Sequence, residues 1–233
     1  MKASADTTGK KSDETRARIL EAALTLFRKR GFGNTTMRDI AKEAGTALGA
    51  VYYYFDSKDA LVMAFYEHTQ REVTPLVEDA LSTTKGLEEG LRAMLGVKFQ
   101  YYAPNRTLLG ALSAHIDPQH PLSPFSFEGR AIRDQDIALF ARALEGSKAR
   151  VPEDLKIHLP RLLWLYQMGL LLFWVYDRSP KQKRTMQLFE KSLSIVVNLI
   201  RLSTFPLLRP ARRLAIELLD IIYGDEKLVE AAP

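Results

Sequence analysis

The stretch from Thr35 to Leu61, TTMRDIAKEAGTALGAVYYYFDSKDAL, leaves this chain little freedom in what it can fold into. Thr36 can cap a short helix, and Asp39, three residues on, can close a capping box. Ile40, Ala41 and Ala44 then form an apolar stripe at helical spacing. Gly45 stands where that helix must stop, because a residue without a Cβ enters the left-handed conformation that a tight turn often needs. A second helix follows from about Ala47, through Leu48, Gly49, Ala50 and Val51 to Tyr52, Tyr53, Tyr54 and Phe55. Its small residues let backbone approach a large partner, and its tyrosines offer hydroxyls and flat faces. The pattern predicts a helix-turn-helix whose second helix enters a DNA major groove.

Around that module the apolar residues keep helical spacing nearly throughout, with no strand alternation bounded by hairpin turns. A first helix is expected over about Asp13–Arg30, with Ile19, Ala23, Leu26 and Phe27 inward and Gly31 ending it. A long fourth helix is expected from near Ser57 toward Leu81, with Pro75 as a kink or break. Beyond Thr84 the expected helices are Leu87–Tyr102, Arg106–Ile116, Ile132–Leu144, Glu153–Tyr176, Pro180–Ser203 and Ala211–Tyr223, with a proline-rich loop over 117–126. The fold class is therefore all-α. The divisions are a disordered basic arm over 1–12, the helix-turn-helix domain over 13–60, a second helical domain over 61–224 and a tail over 225–233.

At 233 residues and 46% hydrophobic, the chain can build the cores of two such domains. A net charge of +5 is compatible with nucleic acid. The lack of cysteine excludes disulfides and thiolate metal sites and fits a reducing cytoplasm. Met1 to Lys11 is polar and has no apolar core of a secretion signal. The most apolar run, Leu162 to Tyr176, is shorter than the roughly 20 residues a membrane span needs, so no membrane partner is expected. His68, His115, His120 and His158 form no pair at helical ligand spacing, and no metal site is expected. With no glycine-rich phosphate loop, nucleophile elbow or cysteine nucleophile, no catalytic residue, cofactor or enzymatic activity is expected either.

Over Ser12 to Glu72, the Ile40-Ala41-x-x-Ala44-Gly45 turn, Gly49, Tyr52, Phe55 and Ser57-Lys58-x-x-Leu61 together resemble the TetR (tetracycline-repressor-like) family of transcription regulators. The resemblance implies phosphate contacts by Tyr52 and by Lys58. Tyr54 stands where the family often has histidine, and Thr46-Ala47-Leu48 where it usually has Val-Ser-Lys or similar, at the start of the recognition helix. Residue chemistry adds Thr36, whose helix start carries partial positive charge suited to a phosphate. It also adds Arg38, whose fork can pair bidentately with guanine. Leu48, Gly49, Ala50 and Tyr53 would face the groove and read thymine methyls and shape. Phe55 reads as core, because Val51 shares its face at a spacing of four; Tyr52, Tyr53 and Tyr54 cannot all turn inward on so short a helix.

The same resemblance implies a homodimer held by a four-helix bundle of the last two long core helices, a roughly palindromic double-stranded DNA operator, and a C-terminal effector-binding and dimerisation domain. Aromatic residues crowd the helices of that domain, and a pocket for a small, largely apolar effector would draw on Phe99, Tyr102, His115, Trp164, Gln167 and Phe173. Ordinary core packing is the other reading of each. The basic stretch from Arg178 to Arg213 reads as a solvated rim, with a second nucleic-acid surface as its alternative. The expectation is a cytoplasmic, ligand-released repressor. Its rivals are a regulator of the same fold without an effector and, more remotely, a helical enzyme or binding protein.

Overall fold

A computed structural model describes residues 3–230, and every regular element among them is helical. The N-terminal helices are α1 (Ala3–Arg30), α2 (Met37–Glu43), α3 (Leu48–Tyr54) and α4 (Lys58–Ser82). The remainder are α5 (Leu87–Tyr102), α6 (Arg106–Leu112), α7 (Arg130–Gly146), α8 (Glu153–Lys156), α9 (Leu159–Tyr176), α10 (Lys183–Leu202) and α11 (Arg209–Glu230).

Local chemistry accounts for the ends of these helices. Gly31 stops α1 at φ +84° and Gly45 stops α2 at φ +60°. The Gly45 amide donates to the Lys42 carbonyl and the Thr46 amide to the Ala41 carbonyl, which meets the carbonyls that α2 would leave open. The helices differ from the sequence pattern at several places. The first helix starts at Ala3 rather than Asp13, so most of the expected arm is helical; Met1 and Lys2 lie outside the described residues. Adding turns to an existing helix avoids the cost of a new nucleus. Pro75 does not break α4; it lies on an exposed face, where water can take the carbonyl its ring leaves unpaired. The single helix expected over Glu153–Tyr176 is divided into α8 and α9, because Pro160 suits a first turn and not an interior. The helix expected to reach Ile116 ends at Leu112, where Ser113 turns its hydroxyl back to the Gly110 carbonyl at 2.7 Å.

The chain forms two compact units, and their boundaries depart from the expected 13–60 and 61–224. The first unit joins the residues up to Val73 with Tyr101–Asp134. One apolar core holds it: Ile19, Phe27, Ile40, Val51, Phe55, Leu61 and Phe65 share a cluster with Leu108, Leu112 and Leu122. Segment 101–134 thus packs with the helix-turn-helix because its leucines complete that core, which helical spacing within the segment cannot reveal. Within the same unit the segment after Ile116 is tied by hydroxyls. Ser126 Oγ donates to the Pro121 carbonyl at 3.0 Å, and Arg133 Nη1 donates to the carbonyls of Pro124 and Ser126 at 3.0 and 2.9 Å.

The second unit joins Thr74–Gln100 with the chain from Gln135. Its core includes Leu91, Met94, Leu95, Phe99, Leu139, Phe140, Trp174, Phe189, Leu193 and Val197. Phe99 meets Trp174 edge to face with ring centres 5.4 Å apart. Among the described residues, no single helix is long and apolar enough to cross a membrane.

Candidate nucleic-acid interface

The interface begins with the cap of α2. The Asp39 amide donates to Thr36 Oγ1 at 3.2 Å, while the Thr36 amide and hydroxyl donate to the Asp39 carboxylate at 3.0 and 2.6 Å. Those bonds, first the one from the Thr36 hydroxyl, hold the Asp39 carboxyl below its ordinary pKa. The cap confirms the expected box, and it occupies the Thr36 hydroxyl. A phosphate contact by that hydroxyl would require it to rotate away from Asp39. Arg38, in the first turn of α2, is exposed.

Helix α3 is sealed on one side and open on the other. Val51 and Phe55 are buried, so the core reading of Phe55 holds. Tyr53 is 80% exposed and Tyr52 51% exposed. Ala47 and Gly49 are exposed and Thr46, Leu48 and Ala50 half-buried, so the outer face is of low relief. Tyr54 is half-buried: its ring lies edge to face with Tyr53 at 5.0 Å, and its hydroxyl is 3.2 Å from Ser12 Oγ. It therefore packs against α1. Ser57 caps α4 by accepting from the Ala60 amide at 3.1 Å. Lys58 does not extend freely: its Nζ donates to the Phe32 carbonyl at 2.9 Å and stands 4.5 Å from the centre of the Phe32 ring.

The six residues expected to line one effector pocket are divided between the two units. Tyr102 and His115 belong to the first unit, the other four to the second. His115 stacks on His120 with ring centres 4.0 Å apart, and His120 Nδ1 accepts from the Leu122 amide at 3.1 Å. Phe99, Trp164 and Gln167 are buried in the second unit. Phe173 is exposed and lines an open groove of about 550 Å3 with Leu172, Tyr176, Arg178 and Arg184.

Gln167 belongs to a charged network absent from the sequence expectations. Lys98 Nζ, 1% exposed as a residue, donates to Asp136 Oδ1 at 2.5 Å and to Gln167 Oε1 at 2.6 Å. Gln167 Nε2 returns a bond to Asp136 Oδ2 at 2.7 Å, closing a triangle between α5, α7 and α9. The Phe140 ring lies 4.8 Å from the ammonium. Burial lowers the Lys98 pKa against the opposing pull of Asp136. The signal was present in spacing: Lys98 falls on the buried face with Leu91, Met94 and Leu95, as Asp136 does with Leu139, Phe140 and Ala143.

A capped α2, a left-handed turn, an α3 open on one face and a long α4 define a helix-turn-helix regulator. Two family models match: "Bacterial regulatory proteins, tetR family" over residues 19–65, and "Tetracyclin repressor-like, C-terminal domain" over residues 91–218. The chain belongs to the TetR family of bacterial transcriptional regulators. It is 32% identical over 105 residues to the transcriptional regulator YfiR of Bacillus subtilis, covering 45% of this chain and 40% of that protein. It is 47% identical over 60 residues to TtgR of Pseudomonas putida, covering 26% and 29%. The chain thus spans well under two thirds of the curated relatives it matches. Among solved structures, the Thermus thermophilus FadR, a TetR family repressor in complex with lauroyl-CoA, superposes with a TM-score of 0.56 at 25% identity, over 76% of this chain and 92% of that one.

Proposed function

We propose that this protein is a homodimeric, sequence-specific DNA-binding repressor that leaves a roughly palindromic operator when a small, largely apolar effector binds its C-terminal helical unit. The observation that carries the DNA reading is the pair Tyr52 and Tyr53, held in water on a short helix whose other face is sealed by Val51 and Phe55. Tyr52 and Lys58 would contact phosphates, Arg38 a guanine edge, and Leu48, Gly49, Ala50 and Tyr53 the groove floor. Thr36, Thr46 and Ala47 would lie at the backbone near the two helix starts, with Tyr54 supporting them from behind.

A heptad on α10 supports the dimer: Leu188, Ile195, Leu199 and Leu202 are exposed, and Ser192 completes their stripe. On α9, Leu172, Phe173 and Tyr176 are likewise exposed. Apolar stripes on two helices of one unit suit a bundle formed with a second copy, and the two-fold would set recognition helices about 34–36 Å apart or a multiple of that.

The complex of the related FadR with lauroyl-CoA supports an effector of apolar character. Such an effector releases DNA only by as much as it prefers the non-binding conformation, so effector and operator weaken each other by equal factors. A second reading, regulation without a small-molecule effector, is favoured by one observation. Phe99, Trp164 and Gln167 are buried, and both polar atoms of the Gln167 side chain are already bonded to Lys98 and Asp136.

Sequencing the genomic fragments that purified protein retains tests the DNA reading. Enrichment of one palindromic site supports it, and retention without sequence preference refutes it. Calorimetric titration of acyl-chain compounds, with and without the recovered operator, then decides between the two readings. Reciprocal weakening supports the effector, and identical affinities or no binding support its absence.

A further inference from the structure

Within the first unit, the end of α3 meets α1 through two side-chain contacts. Ser12 Oγ stands 3.2 Å from the Tyr54 hydroxyl, across 42 residues of sequence. Arg16, one turn further along the same face of α1, places its guanidinium carbon 5.0 Å from the centre of the Phe55 ring. Phe55 is buried, so the second contact closes the core behind α3. The first reaches toward the open face. A hydroxyl inside a helix commonly turns back to a carbonyl of the preceding turn, as Thr15 does to the Lys11 carbonyl at 2.9 Å. Ser12 reaches across to another helix.

Tyr54 in turn carries Tyr53. The two rings meet edge to face, with 5.0 Å between centres and 87° between planes. Successive residues of a helix point about 100° apart, so Tyr54 leans on α1 while Tyr53 projects from the recognition helix, 80% exposed. A side chain so exposed samples several rotamers unless a neighbour holds it. A ring that can swing aside escapes a wrong base as readily as it meets the right one, so discrimination requires it to be held. Helix α3 has no charged side chain, and the apolar group that the major groove offers such a ring is the thymine methyl.

On the DNA reading above, we propose that Ser12 is a positioning residue for base recognition: its hydroxyl holds Tyr54, the Tyr54 ring holds Tyr53, and Tyr53 packs on the methyl group of a thymine. The probe is duplex DNA carrying the operator recovered from genomic fragments, with its thymines replaced one at a time by deoxyuridine, which removes the methyl alone. The wild-type chain should bind one such duplex about fourfold more weakly than the parent. Tyr53→Ala should bind the two alike. Ser12→Ala and Tyr54→Phe should each lose most of the discrimination, and Ser12→Thr, which keeps the hydroxyl, should retain it. Ser12→Ala/Tyr53→Ala should behave as Tyr53→Ala does. Alanine favours a helix more than serine, so Ser12→Ala does not weaken α1 itself, and urea midpoints of every variant check this. Undiminished discrimination in Ser12→Ala, or an equal loss of affinity on all duplexes, reduces the contact to packing and overturns the proposal. Indifference of the wild-type chain to every deoxyuridine, with operator preference intact, overturns it and leaves the DNA reading standing. A wild-type chain that prefers no sequence removes the DNA reading and the proposal together.

Discussion

Arg28, in the last turn of α1, donates Nε to the side-chain oxygen of Asn105 at 2.8 Å, across 77 residues of sequence. Asn105 is buried and directly precedes α6, so this bond fastens the start of that helix to the first helix of the DNA-binding module. With Leu108 and Leu112 in the same core, it makes α1 sensitive to the position of α6.

Arg28→Ala should destabilise the chain by about 1–3 kcal/mol, because Asn105 then keeps a buried acceptor without its charged donor. Arg28→Ala/Asn105→Ala should cost less than the sum of the single changes. Urea unfolding of the three variants measures the coupling, and strict additivity would show that the bond contributes nothing.

Removal of Arg38 should act on DNA recognition and leave stability unchanged, since the residue is exposed. Arg38→Ala should cost about 1–3 kcal/mol in operator affinity and relax preference at one base position. Tyr52→Phe should weaken all sequences alike. Lys58→Ala should flatten the salt dependence and also lower the unfolding midpoint, because Lys58 is bonded to the Phe32 carbonyl. Fluorescence anisotropy across a salt series, with operator variants, separates these effects.

The Lys98–Asp136–Gln167 triangle should respond asymmetrically. Asp136→Ala strands a buried ammonium and should cost about 3–5 kcal/mol, whereas Lys98→Met/Asp136→Leu/Gln167→Leu removes the whole polar triangle and should lie within about 1–2 kcal/mol of wild type or exceed it. Denaturant midpoints compare them. A triple variant as damaged as the single one would mean that the polar triangle itself is required.

Asp177 should make the chain acid-sensitive. Burial raises its pKa, but bonds from the amides of Ser179 and Thr185 and from the Thr185 hydroxyl prevail and hold it well below the ordinary carboxylate range. A carboxyl whose folded pKa is depressed contributes stability above its unfolded pKa and loses it as pH falls through the folded value. Asp177→Asn should therefore be less stable than wild type at neutral pH, with the gap beginning to narrow as pH falls below about 4. Thermal unfolding at several pH values reads the difference, and a constant gap across that range would exclude titration of Asp177 as its cause.

The helix-turn-helix could be read from sequence because each of its determinants acts over a few residues. Thr36 and Asp39 close a cap across three positions, Gly45 supplies a backbone conformation by itself, and Val51 and Phe55 share a face one turn apart. Helix ends were less legible wherever two local preferences competed, as at Ser113 and at Pro160. The grouping of the aromatic residues was less legible for another reason. Aromatic side chains at helical spacing describe a core wherever it lies, and Tyr102 and His115 entered a different unit from Phe99 and Trp164.

The sequence alone thus determined the class of fold, the recognition helix and its open face, since helical period, caps and turns are properties of neighbouring residues. Only the tertiary structure decided that segment 101–134 joins the DNA-binding unit, that Arg28 meets Asn105, that Lys98 finds Asp136 and Gln167, and which face of α11 stays in water. Those outcomes rest on contacts between residues 38 to 77 positions apart, or on which of two apolar faces finds a partner, and spacing within one helix carries no record of either.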